Sequence, residues 1–316
     1  MSIGSVTPSC CRPSRTSSTL SGATDCGSIG CAASLTMGQL RIQSGRATLE
    51  GSELNGASAL PRSLLDGVER RLAAMLNVAS LRHRSSGRSV PSFDGEALVD
   101  STYRLIAENY RRAGSSAYKD RSRENWRWQS LQPQISAGNR SPEVIVERAI
   151  AAACSRLGRT DWANQVPVAS GLVAGTRDNR RAIDLVRRRG ERHFEFIELK
   201  IASDTPLYAA AEVLAYGCLW LIAREDKPAR KCTLLDAERL DLRVLAPIGY
   251  YAGYALRSIE DAFDAGARAL GNRHKTELSF AFEILDPRIC ADEIPHDRIL
   301  LDLLDHPASA VAVTPE

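Results

Sequence analysis

Three ionisable residues stand inside stretches that are otherwise typical of buried strands. In "FEFIELKIASD", residues 194–204, Glu198 and Lys200 interrupt a run of aromatic and aliphatic residues. Because side chains alternate across a strand, these two lie together on one face. Asp184 interrupts the preceding apolar run, "RAIDLVRR". If the two strands form a hairpin whose loop covers roughly residues 189–193, Asp184 lies directly opposite Glu198, with Cβ atoms about 4.5–5.5 Å apart.

This predicted pair of carboxylates carries a specific chemistry. Two carboxylates so close on an apolar face repel each other and lose hydration. A divalent cation removes both penalties, and oxygen ligands suit Mg²⁺ or Mn²⁺. Lys200 would then orient a cation-activated water molecule and offset the negative charge that develops on a phosphate. The alternative is an ion-pair network that serves only the structure. The five histidines are scattered, so no Ser-His-Asp or Cys-His arrangement competes.

The elements that carry these residues follow an α-β-β-β-α-β order. The segment "SPEVIVERAIAAACSRL" opens with Ser141 as N-cap and Pro142 at the first helical position, which predicts a helix. Three predicted strands follow, then a long apolar helix that begins near Thr205, and then another strand. A further helix and strand and a short C-terminal helix near residues 296–304 complete the pattern. We therefore predict an α/β fold with a mixed sheet flanked by helices.

This arrangement resembles the PD-(D/E)XK nuclease superfamily, which has the restriction-endonuclease-like fold. The resemblance is carried by Asp184, followed by "ELK" at residues 198–200, inside the αβββα frame, and it covers residues 141 to about 224. It implies an αβββαβ core. It also implies that Asp184 and Glu198 bind the metal ion and that Lys200 assists the attacking water molecule.

The helices on either side of the strands carry the rest of the resemblance. A glutamate on the preceding helix often completes such a site, which implies Glu147 or, as the less favoured choice, Glu143. The following helix contains "EVLAY", whose Glu212 and Tyr216 are similar to the Gln-x-x-x-Tyr signature of the RecB-like exonuclease branch. Two departures stand out. Ile183 replaces the family's proline, and the Glu212 carboxylate cannot donate the hydrogen bonds of an amide.

Basic residues cluster locally although the net charge is only +3. The cluster surrounds the predicted hairpin and comprises Arg177, Arg180, Arg181, Arg187, Arg188, Arg189 and Arg192. Guanidinium groups on a hairpin loop can reach phosphates, so we predict that Arg187, Arg188 and Arg189 contact nucleic acid. The segment "YKDRSRENWRWQ", residues 118–129, mixes basic and aromatic residues that could stack on bases. The reading we favour is a linker whose tryptophans dock on the body of the protein.

Composition divides the chain into three regions. Residues 1–58 are rich in Ser, Gly, Thr and Ala without periodicity, which predicts a disordered tail. Residues 59–135 are predicted to form a helical N-terminal region, and residues 136–316 the nuclease-like domain. The cysteines of the tail match no paired zinc-binding pattern. They are Cys10, Cys11, Cys26 and Cys31.

Targeting signals are weak in this sequence. The N-terminus lacks a basic segment followed by an apolar one, which argues against a secretory signal, while its Ser-rich, acid-poor composition leaves a transit peptide as an alternative. Free cysteines in predicted core elements indicate a reducing environment, so we predict a cytoplasmic protein. The most apolar helix, "PLYAAAEVLAYGCLWLIA", is interrupted by Glu212. It is therefore predicted to be a buried core helix, not a membrane span.

Together these patterns predict a Mg²⁺-dependent or Mn²⁺-dependent nuclease that hydrolyses phosphodiester bonds of nucleic acid, with DNA favoured over RNA. A different class of function also fits. A protein of this fold that has lost turnover would act as a nucleic-acid-binding or partner-binding subunit of a defence or repair assembly, because a fold does not guarantee chemistry. In that case the N-terminal helices would dock the partner protein.

Overall fold

The computed structural model describes residues 61–86, 88, 92–113, 126–128, 131–168, 170, 181–227 and 231–313. Several sequence predictions lie outside these residues: the tail over residues 1–58 with its four cysteines, most of the basic and aromatic segment, Arg177 and Arg180. The described residues between 61 and 313 belong to one compact unit. The boundary predicted at residue 136 therefore falls inside this unit.

Helices and strands alternate along most of the described chain. The α-helices are α1 (Val68–Met75), α2 (Gly95–Ala113), α3 (Pro142–Arg156), α4 (Pro206–Glu225), α5 (Leu256–Arg273), α6 (Asp297–Asp305) and α7 (Ala310–Val313). The strands are β1 (Trp162–Pro167), β2 (Ala182–Gly190), β3 (His193–Leu199), β4 (Arg239–Ala246), β5 (Glu277–Ile284) and β6 (Ala308–Ser309). Short 3₁₀ helices precede and follow β4, over Thr233–Asp236 and Ile248–Tyr251.

The six strands form one sheet in the order β1-β2-β3-β4-β5-β6. Strands β1, β2 and β3 pair antiparallel, β3, β4 and β5 pair parallel, and β6 pairs antiparallel with β5. The parallel connections run through α4 and α5, as parallel pairing requires. The predicted α/β architecture with a mixed sheet is thus confirmed.

Capping residues fix where the two helices around the first three strands begin. The Ser141 hydroxyl accepts the backbone N–H of Val144 at the start of α3, and the Thr205 hydroxyl accepts that of Tyr208 at the start of α4. Each helix has proline at its first position, where the missing N–H costs nothing. The predicted N-cap at Ser141 is confirmed.

Each face of the sheet packs against different helices. One face carries Phe194, Phe196 and Leu242, which belong to the larger core together with residues of α2, α4 and α5. The other face carries Ile197 and Leu199, which pack with residues of α3 and α6. By length and composition α4 could cross a membrane, but 89% of its most apolar window is buried. Its apolar surface is therefore occupied by the rest of the protein.

The tryptophans before the sheet dock on the larger core. Trp126 is buried and stacks on Phe196, with ring centroids 6.2 Å apart. Trp128 meets Phe194 edge to face at 5.5 Å. Both contacts agree with the linker interpretation of this segment.

The hairpin between β2 and β3 is tighter than predicted. Its strands end at Gly190 and resume at His193, so only two residues form the turn instead of the predicted loop over about 189–193. A bulge between Arg188 and Gly190 shifts the register by one residue. This extra residue restores the predicted pairing, so Val186 pairs with Phe196.

Helices α2 and α5 approach each other through glycines. A Cβ atom built on Gly266 would lie 2.3 Å from the carbonyl oxygen of Gly95, and one built on Gly95 would lie 1.9 Å from that of Ala262. Both distances are shorter than any real contact, so no larger residue fits without moving a backbone. Through this crossing α2 shares the core of the sheet domain.

We expect the substitution Gly266→Ala to lower the free energy of unfolding by about 1–3 kcal/mol, because the added methyl group must push the two helix backbones apart. Urea denaturation of both proteins measures this difference. Gly249→Ala is the matched control, since a Cβ at that position meets no atom within 4 Å. Equal stability of the parent and the Gly266 variant would show that α2 does not pack on α5 as described.

Candidate functional site

Asp184 and Glu198 lie side by side on β2 and β3. Leu185 pairs with Ile197, and the same register continued by one residue sets Asp184 across from Glu198. The backbone N–H of Leu199 donates to Asp184 Oδ2 over 3.1 Å. This bond holds the Asp184 carboxylate at the end of β3, next to the Glu198 side chain.

Burial makes the negative charge of this pair costly. It raises the pKa of Asp184 to about 6, against the opposing effect of the Lys200 ammonium. Burial also raises the pKa of Glu198, and the neighbouring carboxylates of Asp184 and Glu212 add to the effect. The two carboxyl groups therefore need a positive partner before both can ionise at neutral pH.

Lys200 supplies part of that positive charge. Its Nζ lies 2.7 Å from Glu198 Oε1 and 3.2 Å from Glu212 Oε2. Burial works against the charged ammonium, but these carboxylates and Asp184 outweigh it and raise the pKa of Lys200. The lysine follows β3 directly, and its backbone N–H donates to the Leu245 carbonyl on β4 over 3.0 Å. The structure therefore brings Asp184, Glu198 and Lys200 together.

Glu147 reaches the same region from α3. Its carboxylate is buried and accepts hydrogen bonds from Asn164 Nδ2 at 2.9 Å and from Gln165 Nε2 at 3.1 Å, both on β1. Burial and the nearby Asp184 raise the pKa of Glu147 to about 7. Sequence reasoning missed the two amide residues. In the sequence, their only signal was that two adjacent polar residues stand within an apolar strand. In the structure, Gln165 has a left-handed backbone, with φ 50°.

Glu143 has a structural position, one helical turn before Glu147. Its Oε1 accepts the backbone N–H groups of Ile201, Ala202 and Ser203 at 3.0–3.2 Å. Against the effect of burial, these bonds lower the pKa of Glu143 to about 2. Its carboxylate is thus occupied in holding the segment that follows Lys200, and the less favoured assignment of Glu143 as the metal ligand does not fit this position.

Glu212 on α4 joins the site to three positive or polar groups. Its carboxylate contacts Lys200, accepts the Tyr216 hydroxyl at 3.3 Å and lies 3.3 Å from Arg181 Nη1. Burial raises the pKa of Tyr216, so that its hydroxyl keeps its proton and donates. The negative charge of Glu212, which stands where the resemblance implied an amide, is therefore offset by Lys200 and Arg181. Arg181 was predicted only as a member of the basic cluster, and its contact with Glu212 was not foreseen.

The arginines predicted to contact nucleic acid are placed differently from the prediction. All three lie in β2, although Arg189 was predicted in the loop. Arg187 is buried, and its guanidinium binds the Asp305 carboxylate at 2.6 Å and the Leu304 carbonyl at 3.1 Å. Arg189 pairs with Glu195 at 2.8 Å. These contacts correct the prediction for Arg187, which cannot reach a phosphate while it anchors α6.

Arg188 is exposed, as Arg189 is. Its guanidinium lies 5.8 Å from the centre of the Trp128 ring, on the face of the sheet that carries Phe194. Alternation along β2 separates it from its two neighbours, which point to the opposite face. The predicted nucleic-acid contact of Arg188 stays a prediction.

The donor set fits a hard cation held by few protein ligands. Among the described residues no group of three or more His, Cys, Asp and Glu side chains is arranged to hold a metal ion. Glu198 Oε2, however, is buried and accepts no hydrogen bond within the part of the chain that the structure describes. Such an atom beside a second carboxylate suits Mg²⁺, which takes one or two carboxylates and keeps several water molecules.

Comparison of this chain with protein-family models, with curated proteins and with solved structures finds no match. The chemistry of the site is therefore inferred from the positions of its own side chains.

We expect Asp184→Asn to stabilise the metal-free protein by about 1–3 kcal/mol at pH 8, because the amide removes a buried charge and can still accept the Leu199 N–H. The pKa of Asp184 is raised from 3.8 to about 6. The folded protein is therefore penalised above pH 6, and the gain should disappear as the pH falls below about 4, where both states are protonated. Urea denaturation in EDTA at several pH values measures it.

Glu143→Gln is the control of opposite sign. The pKa of Glu143 is lowered from 4.5 to about 2, so its stabilisation is present above pH 4.5 and is lost as the pH falls toward 2. This variant should be less stable than the parent at pH 8, with a difference that narrows in acid. A destabilised Asp184→Asn variant at pH 8 would instead mean that the ionised carboxylate holds the structure together.

Proposed function

We propose that this protein is a metal-dependent nuclease that hydrolyses phosphodiester bonds, with DNA as its substrate. One observation carries the proposal: the adjacent carboxylates of Asp184 and Glu198 lie beside Lys200, and Glu198 Oε2 accepts no hydrogen bond within the described residues. A buried carboxylate oxygen without a donor is costly, and a bound cation would remove that cost.

Each side chain has a separate role in this proposal. Asp184 and Glu198 would hold Mg²⁺ or Mn²⁺, which supplies a Lewis acid and an activated water molecule when bound. Lys200 holds three protons on Nζ and would donate one of these hydrogen bonds to the water molecule or to a phosphate oxygen. Glu147, with its pKa near neutrality, can take up or release a proton beside Asp184.

The order of elements supports the restriction-endonuclease-like fold as the finer assignment. A helix, three antiparallel strands, a helix and a parallel fourth strand follow one another from α3 to β4. The proposed ligands lie on the second and third of those strands, and α4 adds Glu212 and Tyr216. We extend the proposal to the RecB-like branch, with Glu212 offset by Lys200 and Arg181 in place of the neutral amide.

A second candidate is a protein of the same fold that binds nucleic acid or a protein partner without turnover. The ion pair of Lys200 with Glu198, at 2.7 Å, favours it, because the lysine already supplies one positive charge to the carboxylates. In this candidate Lys200 would be the permanent counter-ion of the two carboxylates.

We expect cleavage of linear, circular or single-stranded DNA to require Mg²⁺ or Mn²⁺ and to stop in EDTA, because the metal ion would supply the Lewis acid and the activated water molecule that the side chains alone do not. Gel analysis of the products measures the cleavage. Asp184→Ala should abolish it while the circular dichroism spectrum stays that of the parent. Cleavage that continues unchanged in EDTA would exclude the metal mechanism.

The substitution Lys200→Ala distinguishes the active nuclease from the inactive binding protein. We expect this variant to bind Mg²⁺ and DNA like the parent and to cleave about 10²–10³-fold more slowly, the typical loss for one group that stabilises a transition state. Lys200→Arg should recover little, because a planar guanidinium cannot replace a compact ammonium. Lys227→Ala is the matched control, since Lys227 is exposed and pairs only with Asp236 in the described chain. Equal rates for parent and Lys200→Ala would favour the inactive binding protein.

A further inference from the structure

A cleft of about 660 Å³ lies between α1, α2 and the segment that precedes α1. Its floor is partly apolar, with Ala74 and Leu105 among its lining residues. Four arginines line it, and they come from three places: Arg62 from the segment before α1, Arg70 and Arg71 from α1, and Arg112 from the end of α2. The cleft lies outside the carboxylate site described above.

Most of this positive charge is not neutralised by the cleft itself. The side chains of Arg62, Arg70 and Arg71 are exposed and form no ion pair with any described residue. Asp66 is the one acidic residue among the described residues that line the cleft. Its Oδ2 accepts the backbone N–H groups of Arg62 at 2.6 Å and Ser63 at 3.1 Å. Asp66 thus serves the turn before α1.

A neighbouring cleft shows the opposite arrangement. It has a volume of about 540 Å³ and is lined by the next turns of α2. Arg71 lines both clefts, and the other two arginines of this one are paired on their own helix: Arg104 lies 2.7 Å from Asp100, and Arg111 contacts Glu108. The helix pair therefore carries one basic surface that its own acidic residues largely neutralise and one on which Arg62, Arg70 and Arg71 form no ion pair with a described residue. An anion bound there would relieve the repulsion between the clustered guanidinium groups.

We propose that this arginine cleft binds the phosphate backbone of a nucleic-acid strand. Guanidinium groups match phosphate oxygens with two parallel hydrogen bonds, and three sources around one cleft allow successive phosphates to be held together. The apolar floor offers surface to a sugar or a base. The choice of nucleic acid over an acidic peptide rests on the proposed function. The preference for an anion rests only on the arginines that line the cleft.

Contacts through Arg82 connect the cleft with the carboxylate site. Glu69, next to Arg70 on α1, lies 3.5 Å from Arg82. The Arg82 guanidinium lies 3.6 Å from the centre of the Tyr208 ring, and the Lys200 ammonium lies 6.0 Å from that same ring centre. Arg82 and Tyr208 thus link α1 with the proposed catalytic lysine through side-chain contacts. The cleft gives the α1–α2 region a function as the substrate-holding part of the site.

The test compares two double variants that lose equal charge from exposed positions on the same helix pair. One is Arg70→Gln with Arg71→Gln, and the control is Arg104→Gln with Arg111→Gln. Fluorescence anisotropy measures the binding of a labelled single-stranded oligonucleotide of roughly twenty nucleotides in EDTA over a salt series. We expect the first variant to bind about tenfold more weakly than the parent, and the slope of log affinity against log salt to fall by the equivalent of about one to two phosphate contacts. The affinity of the control should stay within about twofold of the parent.

Two results would overturn this inference: equal effects of the two double variants, or a parent that does not bind the oligonucleotide. Competition identifies the class of ligand. Displacement by poly-glutamate as effective as displacement by unlabelled DNA would assign the cleft to an acidic protein, and displacement by inorganic pyrophosphate at the same concentration of phosphate would assign it to a free phosphate compound. Either outcome also overturns the proposal.

Cleavage of the same oligonucleotide with Mg²⁺ is measured separately. A parent that binds through the cleft but never cleaves contradicts the proposed function and leaves the cleft proposal intact. A parent that cleaves while the Arg70 and Arg71 variant binds normally contradicts the cleft proposal alone.

Discussion

Two carboxylates from neighbouring strands occupy one buried position, and the surrounding structure responds to the electrostatic cost of that placement. Asp184 and Glu198 both have raised pKa values, chiefly because they are removed from water. Glu212 adds a third negative group from α4, and the positive groups that face this set are Lys200 and Arg181. Acidic groups thus outnumber basic ones in the described site. An enclosed excess of acidic groups suits a site for a hard cation, which would let them ionise.

The framework of this site was predictable because it depends on local rules. Alternation along β3 set the face that Glu198 and Lys200 share, and a slip of one residue would have turned both of them to the other side of the sheet. The turn itself was not predictable in detail. The short turn over residues 191–192 together with the bulge at Arg188 gives the same pairing as a longer regular loop. The predicted position of Asp184 was therefore correct although the predicted loop was too long.

Side-chain partners far apart in sequence could not be predicted. Arg187 was expected to contact nucleic acid and instead binds Asp305, 118 residues away. Glu147 was expected beside the metal, but nothing in the sequence indicated that Asn164 and Gln165 hold its carboxylate. Such contacts follow from how α3 and α6 pack on the sheet, and periodicity within one element contains no information about that packing. Charged side chains are the most affected, because a single distant partner changes what they can bind.

The carboxylate of Glu143 joins the first turn of α3 to the three N–H groups directly after Lys200. Glu147 lies one turn further along the same helix, so the spacing between Glu147 and Lys200 is set by a residue that need not touch substrate. In a chimera with another protein of this architecture, α3 and the β3–α4 connection would have to be transplanted together. Transferred singly, either segment would leave the three N–H groups or the Glu143 carboxylate without this partner. The unit that evolution or design can exchange here is a pair of segments 58–60 residues apart in sequence.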